Sequence, residues 1–81
     1  MAKILFFGRF SDLSGPIEIE LPENVKDKKS LTAHISTLIT GFEALANRPD
    51  TRVSVNMLVT INEVTVGNDD EIAFMSALSG G

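Results

Sequence analysis

The chain has 81 residues, no cysteine, 43% hydrophobic residues and a formal net charge of −4. This length predicts one domain, spanning residues 1–81, with a single small core. The lack of cysteine excludes a disulfide framework and a thiolate metal site, and no apolar run approaches the roughly 18 residues of a membrane helix. The acidic balance argues against nucleic acid as a partner, since that role favours a basic surface.

The first strand is predicted at residues 3–8, where the sequence is short, apolar and aromatic. Ile4 and Phe6 point to one face of this strand, and Leu5 and Phe7 point to the other, so both faces are apolar. Met1 leads into the strand without the layout of a signal peptide, and we therefore expect a cytoplasmic protein with no membrane contact.

A second strand is predicted at residues 17–21, after a connector with a helical turn at 9–15 and a Gly15-Pro16 turn. Its apolar residues alternate with glutamates, which predicts a half-buried strand paired with the first in a hairpin. The apolar positions of this strand are Ile17, Ile19 and Leu21. Pro22 is expected to end it.

A helix is predicted to begin at Ser30 as its N-cap and to end before Gly41 at the C′ position. Its apolar stripe has helical spacing and consists of Leu31, Ile35, Leu38 and Ile39. In the charged loop before it, Val25 is expected to reach the core, and Lys26, Lys28 and Lys29 are interpreted as a solvated cluster. His34 has no ligand-spaced partner, so we expect a surface histidine and no metal site.

The second half of the chain is predicted to form a short helix and several extended segments. The helix covers 42–47, with Phe42 and Leu45 as anchors, and extended segments follow at 52–56 and 57–61. Turns at 62–63 and 67–70 enclose a brief extended piece with Val64 and Val66, and the last strand covers 71–75.

One long helix can cover only one face of the sheet that these strands form. It covers either the face with Ile4, Phe6, Ile72 and Phe74 or the face with Leu5, Phe7, Ala73 and Met75. The other face then carries apolar side chains that contact solvent or a partner, as contiguous exposed apolar patches often do. The alternative is a second small core formed by sheet twist and short loops.

Residues 76–81 are predicted to be a flexible tail that ends in Gly80-Gly81. Because glycine has no β-carbon, such a tail is thin enough to enter a narrow channel and present its carboxylate to another protein. The sequence has no phosphate-binding glycine loop, nucleophile elbow or zinc-protease motif. Glu18, Glu20 and the acidic run 69–71 are interpreted as solvated groups, so the Gly81 carboxylate is the distinctive reactive group.

Several segments together resemble the small subunit of molybdopterin synthase, and the resemblance extends over the whole chain. They are residues 3–9 (Lys-Ile-Leu-Phe-Phe-Gly-Arg), Leu13-x-Gly15, Val55-Asn56, residues 70–74 (Asp-Glu-Ile-Ala-Phe) and Ser79-Gly80-Gly81. The resemblance implies an α+β fold of the ubiquitin-like β-grasp type, a mixed sheet with one main helix packed on one face. It also implies a sulfur carrier.

In such a carrier, an ATP-dependent adenylyltransferase would activate the Gly81 carboxylate, and a sulfur donor would convert it to a thiocarboxylate. The tail, with Ser79 and Gly80, would then enter the large synthase subunit and give its sulfur to cyclic pyranopterin monophosphate. The family forms a heterotetramer, and the resemblance implies no permanently bound cofactor. By matching positions, Phe7, Val59 and Met75 correspond to the family's hydrophobic docking patch, with Leu78 as a further partner contact.

Two positions depart from the family pattern and leave other functions open. The family often has prolines before the tail, where this chain has Ser76-Ala77-Leu78, and a Gly-Asp-Glu turn, where it has Asp69-Asp70-Glu71. The alternatives are a carrier for thiamine thiazole or another sulfur-containing product, a ubiquitin-like modifier joined through Gly81 to lysines, and an interaction module with accidental glycines.

Overall fold

The computed structural model describes residues 1–60 and 65–76. The strands are β1 (Ala2–Phe6), β2 (Ile17–Ile19), β3 (Thr51–Val55), β4 (Leu58–Thr60) and β5 (Glu71–Ser76). The helices are α1 (Lys28–Leu38) and α2 (Phe42–Ala46), and a 3₁₀ helix covers Gly8–Asp12. No helix in the described part of the chain is long and apolar enough to cross a membrane.

The strands form one mixed sheet in the order β2-β1-β5-β3-β4. The two central strands β1 and β5 are parallel, whereas all other neighbours are antiparallel. Parallel strands need a long crossover, and here β2, the helices, β3 and β4 lie between them in the chain. This α+β architecture, with one main helix on a five-stranded sheet, is compatible with the predicted β-grasp fold.

The core lies between α1 and the sheet face that carries Ile4, Phe6, Ile72 and Phe74, all of them buried. The sequence allowed the helix to cover either of two sheet faces, and in the structure α1 covers this one. Leu31 and Ile35 of α1 are fully buried against this face, and Val25 is buried as predicted.

Four phenylalanines form the centre of the core. The Phe74 ring lies 4.9 Å from Phe42 and 5.9 Å from Phe10, centroid to centroid, and Phe6 and Phe10 also contact Phe42. Phe10 was not predicted as a core residue; the 3₁₀ helix turns its side chain back over the sheet. Loss of one such ring costs about 3–5 kcal/mol, which is a large share of the stability of a small domain.

The start of α1 differs from the prediction by three residues. Asp27, not Ser30, is the N-cap, and its carboxylate accepts a hydrogen bond from the Ser30 backbone N–H at 2.8 Å. The Ser30 hydroxyl in turn accepts one from the Asp27 N–H at 3.2 Å, which completes a capping box. Aspartate and serine are both favoured N-cap residues. Here the two reciprocal bonds place Asp27 at the N-cap and Ser30 at N3.

The end of α1 also differs. The helix stops at Leu38 and Ile39 is its extended C-cap, while Gly41, at φ +89°, is the N-cap of α2 and not the C′ residue of α1. Leu38 was predicted in the apolar stripe but is 53% exposed. The line Leu31–Ile35–Ile39 faces the core, and Leu38 lies beside this line in the last turn.

The bounds of every strand differ from the prediction. β1 covers Ala2–Phe6 where 3–8 was predicted, β3 begins and ends one residue earlier, at Thr51–Val55, and β5 extends one residue further, to Ser76. β2 ends at Ile19, although Leu21 is buried as predicted. Residues 57–61 were predicted as one extended piece, but Met57 lies in a turn with Asn56, and both have positive φ, +72° and +52°. This two-residue turn joins β3 to β4, as in hairpins of type I′. The predicted turn at 62–63 lies outside the described residues.

Candidate docking face

The sheet face opposite α1 carries a row of apolar and small side chains that crosses four strands. Leu5 is in register with Ala73, Ala73 with Ser54, and Ser54 with Val59. Directly paired residues point to the same face, and strands lie about 4.8 Å apart, so the row spans about 14 Å. Ala73 and Ser54 are small and buried between their neighbours, while Val59 at the sheet edge is 59% exposed.

A second row lies next to it, toward the end of β1 and β5. Phe7 follows β1 with an extended backbone, so alternation puts its side chain on the same face as Leu5. It adjoins Met75, which is paired with Arg52. Phe7 is 50% exposed and Met75 is half-buried. We call Leu5, Phe7, Val59, Ala73 and Met75 the docking patch.

The three described residues that the resemblance implicated in partner binding, Phe7, Val59 and Met75, thus lie on one sheet face. They come from three strands that are distant in the chain, and the register brings them together. Leu78, Ser79, Gly80 and Gly81 lie outside the described residues.

A polar row borders the docking patch on its other side. Lys3 is paired in register with Glu18 on β2 and with Glu71 on β5. Asn56 continues this row next to Glu71, to which it is bonded through the backbone at 2.7 Å. The apolar surface therefore ends sharply at the beginning of β1 and β5.

Asn56 joins the β3–β4 turn to the beginning of β5. Its side-chain amide donates to the Asp70 carboxylate at 2.9 Å, and its side-chain carbonyl accepts the Glu71 N–H at 2.9 Å. The other carboxylate oxygen of Asp70 accepts the Gly67 N–H at 2.8 Å. Asn56 and Asp70 belong to two of the segments that carry the family resemblance, and their visible role is to hold two turns together.

Ser76 is the last residue of β5 and the last described residue of the chain. The tail was predicted to begin at residue 76, but this residue still belongs to the strand, paired with Thr51. Its hydroxyl accepts a hydrogen bond from the Arg9 backbone N–H at 3.3 Å. The point from which residues 77–81 continue is therefore tied to the loop after β1, beside Phe7.

Two carboxylates have a pKa below their ordinary range, and neither lies on the docking patch. The Ser30 hydroxyl and backbone N–H lower the pKa of Asp27 by hydrogen bonding, and Arg48 lowers the pKa of Asp50 through a bond of 3.1 Å. Both serve local structure, a helix cap and a loop. Within residues 1–60 and 65–76, no group of three or more histidines, aspartates or glutamates is arranged to hold a metal ion.

An open groove of about 410 Å³ lies between α1 and α2 and is lined by Lys28, Lys29, Thr32, Ser36 and Glu43, among others. It belongs to the helix layer, so the sheet separates it from the docking patch. His34, half-buried on α1, is not part of its lining.

Sequence reasoning missed the contacts that fix the end of β5, namely Gly8 and Arg9 against Ser76. The only local sign in the sequence was the glycine at position 8, a residue type that suits a positive φ, and its φ is +60°. Its partner, however, is 68 residues away, and a single sequence does not reveal such a contact.

Comparison of the chain with protein-family models and with curated protein sequences finds no match.

Proposed function

We propose that this chain is a sulfur carrier for molybdopterin synthesis, with the carboxyl group of Gly81 as the position that carries sulfur. The observation that best supports this proposal is the place where β5 ends. This central strand stops at Ser76 beside the half-exposed Phe7, so the remaining five residues begin at the margin of the docking patch. A partner that covers the patch would therefore also lie next to the end of β5.

The proposed chemistry begins with activation, because a free carboxylate is a poor electrophile. A Gly81 carboxylate oxygen attacks the α-phosphorus of ATP, pyrophosphate leaves, and an acyl-adenylate forms on an adenylyltransferase. A sulfur donor then displaces AMP from the carbonyl carbon, which leaves a thiocarboxylate. This is covalent catalysis with the chain end as the carrier group.

The second half-reaction takes place in the large synthase subunit. The thiocarboxylate passes its sulfur to cyclic pyranopterin monophosphate, and water restores the Gly81 carboxylate. The large subunit supplies the substrate pocket and the acid and base groups. We place this cycle in the cytoplasm, with a heterotetramer of two large and two small subunits as the working complex.

The docking patch is suited to a carrier that binds several enzymes in turn. Met75 adds a flexible, polarisable side chain that adapts to different surfaces, while Phe7 and Val59 supply exposed apolar area. The patch lies on the sheet, whereas α1 covers the other face. Partner exchange therefore leaves the core of four phenylalanines unchanged.

The direct test is the intact mass of the chain after incubation with the activating adenylyltransferase, ATP and a sulfur donor from the same organism. We expect a mass increase equal to the replacement of one oxygen by sulfur, located in the C-terminal peptide. Deletion of Gly81 should abolish this increase and leave thermal unfolding nearly unchanged. The matched control is Ala44→Ser, an exposed change on α2, which should keep the full mass increase.

Other outcomes identify the alternatives. Gly81 joined to lysines of various proteins would indicate a ubiquitin-like modifier. A thiocarboxylate that no molybdopterin synthase large subunit accepts would indicate a carrier for another product, such as the thiamine thiazole. No modification of the chain end under any of these conditions would contradict the carrier proposal.

A further inference from the structure

The three arginines of the chain, Arg9, Arg48 and Arg52, lie at one end of the sheet, where β5 ends. The Arg9 N–H is bonded to the Ser76 hydroxyl, and Arg52 is paired in register with Met75. Arg48 lies in the loop before β3 and forms an ion pair with Asp50. These positive charges therefore surround the point from which residues 77–81 continue, and we call this side the arginine end.

The opposite end of the sheet has the opposite charge. Five carboxylates of the described residues lie where β1 and β5 begin and β2 ends. These carboxylates are Glu18, Glu20, Asp69, Asp70 and Glu71. The cations on this side are Lys3, the amino group of Met1 and Lys26, whose backbone carbonyl accepts the Val66 N–H beside the 67–70 turn. At the arginine end, Asp12 and Asp50 are the carboxylates of the adjoining loops. Among the described residues, these three arginines and two aspartates leave a net charge of +1 at the arginine end, whereas the whole chain has a formal charge of −4.

The apolar docking patch lies between these two ends. Hydrophobic contact has no direction, so the patch alone would allow a partner to bind in several orientations. A strand of five residues is about 16 Å long, which exceeds the Debye length of about 8 Å at physiological salt. Charged groups of a partner therefore interact with each end separately, and the two opposite charges can favour one binding orientation.

Two of the arginines are available for such contacts. Arg9 is exposed, and the hydrogen bond that it donates to the described residues comes from its backbone N–H, to Ser76. Its guanidinium contributes only through its charge to lowering the pKa of Asp50, whose main partner is Arg48. Arg52 is exposed on the patch face, and one of its terminal nitrogens donates to the carbonyls of Pro49 and Thr51 at 3.0 Å. These bonds orient the guanidinium and leave other donors of its fork free. Arg48 is committed to Asp50 and is not included.

We propose that Arg9 and Arg52 orient the chain on protein partners that carry carboxylates beside the opening that receives residues 77–81. This inference rests on the proposed carrier function and adds the chemistry of the partner surface: an apolar centre with acidic groups on the tail side. Nucleic acid is disfavoured as the occupant, because the five carboxylates at the other end of the same face repel phosphates.

The test compares association rate constants by stopped-flow fluorescence at low and physiological salt. The partners are the activating adenylyltransferase and the large synthase subunit from the same organism. The variant is Arg9→Gln/Arg52→Gln, and the matched control is Lys28→Gln/Lys29→Gln, which removes the same charge from the helix layer. We expect the arginine variant to associate roughly tenfold more slowly at low salt, with a shallower salt dependence, and the lysine control to stay within about twofold.

A third variant, Arg9→Lys/Arg52→Lys, keeps the charge and should restore most of the association rate. If it fails to do so and also lowers the unfolding temperature, the arginines are structural and the proposal is wrong. Equal rates for the arginine and lysine variants, with thiocarboxylate still formed, would overturn the orienting role and leave the carrier function intact. No association of the wild-type chain with either enzyme would overturn both. Arginine-dependent binding of a short DNA duplex would overturn the choice of a protein partner.

Discussion

The backbone of Gly8 lies directly against the side chain of Ser76. A β-carbon added to Gly8 would collide with the Ser76 Oγ, and Gly8 has a φ of +60°. The positive φ favours glycine at this position. A side chain at position 8 would in addition force the Ser76 hydroxyl to turn away and lose its hydrogen bond from the Arg9 N–H. The contact of Gly8 with Ser76, together with the hydrogen bond from Arg9 to Ser76, holds the end of β5 against the loop after β1.

Gly8→Ala should therefore destabilise the domain and displace the end of β5. A left-handed non-glycine residue costs about 1–2 kcal/mol, and the collision with Ser76 adds to this, so the unfolding temperature should fall by about 4–8 °C or more. The double variant Gly8→Ala/Ser76→Ala should regain part of the loss, because the Oγ is gone while the φ strain stays. If the falls in unfolding temperature of Gly8→Ala and Ser76→Ala simply add in the double variant, residues 8 and 76 are not in contact.

Met57→Gly should stabilise the domain. Met57 is 84% exposed and has a φ of +72° in the two-residue turn between β3 and β4, a position that favours glycine after asparagine. Relief of the strain should outweigh the added freedom of the unfolded chain and raise the unfolding temperature by a few degrees, about 0.5–1 kcal/mol. The control Ala44→Gly, in exposed helix α2, should lower stability by about 1 kcal/mol. Equal destabilisation by both changes would contradict the assigned turn.

The stability of the domain should fall as the pH drops below about 4, in part through Asp27. Its pKa is lowered in the folded state by the Ser30 hydrogen bonds, so between the folded and unfolded pKa values the unfolded chain binds more protons. The contribution of Asp27 is fully present above its unfolded pKa and is lost as the pH falls through its folded pKa.

Asp27→Asn keeps a hydrogen-bond acceptor at the N-cap but removes the titratable group. The unfolding temperature of this variant should therefore fall less than that of the wild type between pH 5 and pH 2, by the part that protonation of Asp27 contributes. Ala44→Ser, an exposed change on α2 that alters no carboxylate, is the control and should follow the wild-type curve. If Asp27→Asn also follows that curve in calorimetric scans, the capping box does not form in solution.

Phe7→Lys should weaken partner binding without unfolding the isolated domain. Phe7 is 50% exposed on the docking patch, and Leu38→Lys provides a matched control, because Leu38 is 53% exposed on α1 on the other side of the sheet. A buried apolar anchor in an interface contributes about 2 kcal/mol or more. The dissociation constant for the activating adenylyltransferase, from calorimetric titration, should therefore rise at least roughly 30-fold for Phe7→Lys.

Leu38→Lys should bind that enzyme like wild type. If both variants bind like wild type, the docking patch does not contact this partner. Met75→Lys is a second variant on the patch and should also weaken binding more than it lowers the unfolding temperature. If Met75→Lys unfolds the isolated domain, Met75 is a core residue and does not belong to the patch.

Local patterns along the chain are enough to predict the element types and most of the core. Period-two alternation in 17–21 and 52–56, and helical spacing at Leu31 and Ile35, depend on neighbours within one turn or strand. Such local signals also predicted that both faces of the first and last strands are apolar. Because the sheet has two apolar faces and the chain has one long helix, we expected the helix to leave one face uncovered.

Local patterns do not indicate which face α1 covers or which residues share the other face. The row from Leu5 through Ala73 and Ser54 to Val59 depends on the register of strands up to 68 residues apart, and a shift of one residue would reverse every side chain. The same is true of the contact between Gly8 and Ser76 and of the arginines around it. Strand register depends on how the whole core packs, and local sequence patterns therefore cannot predict it.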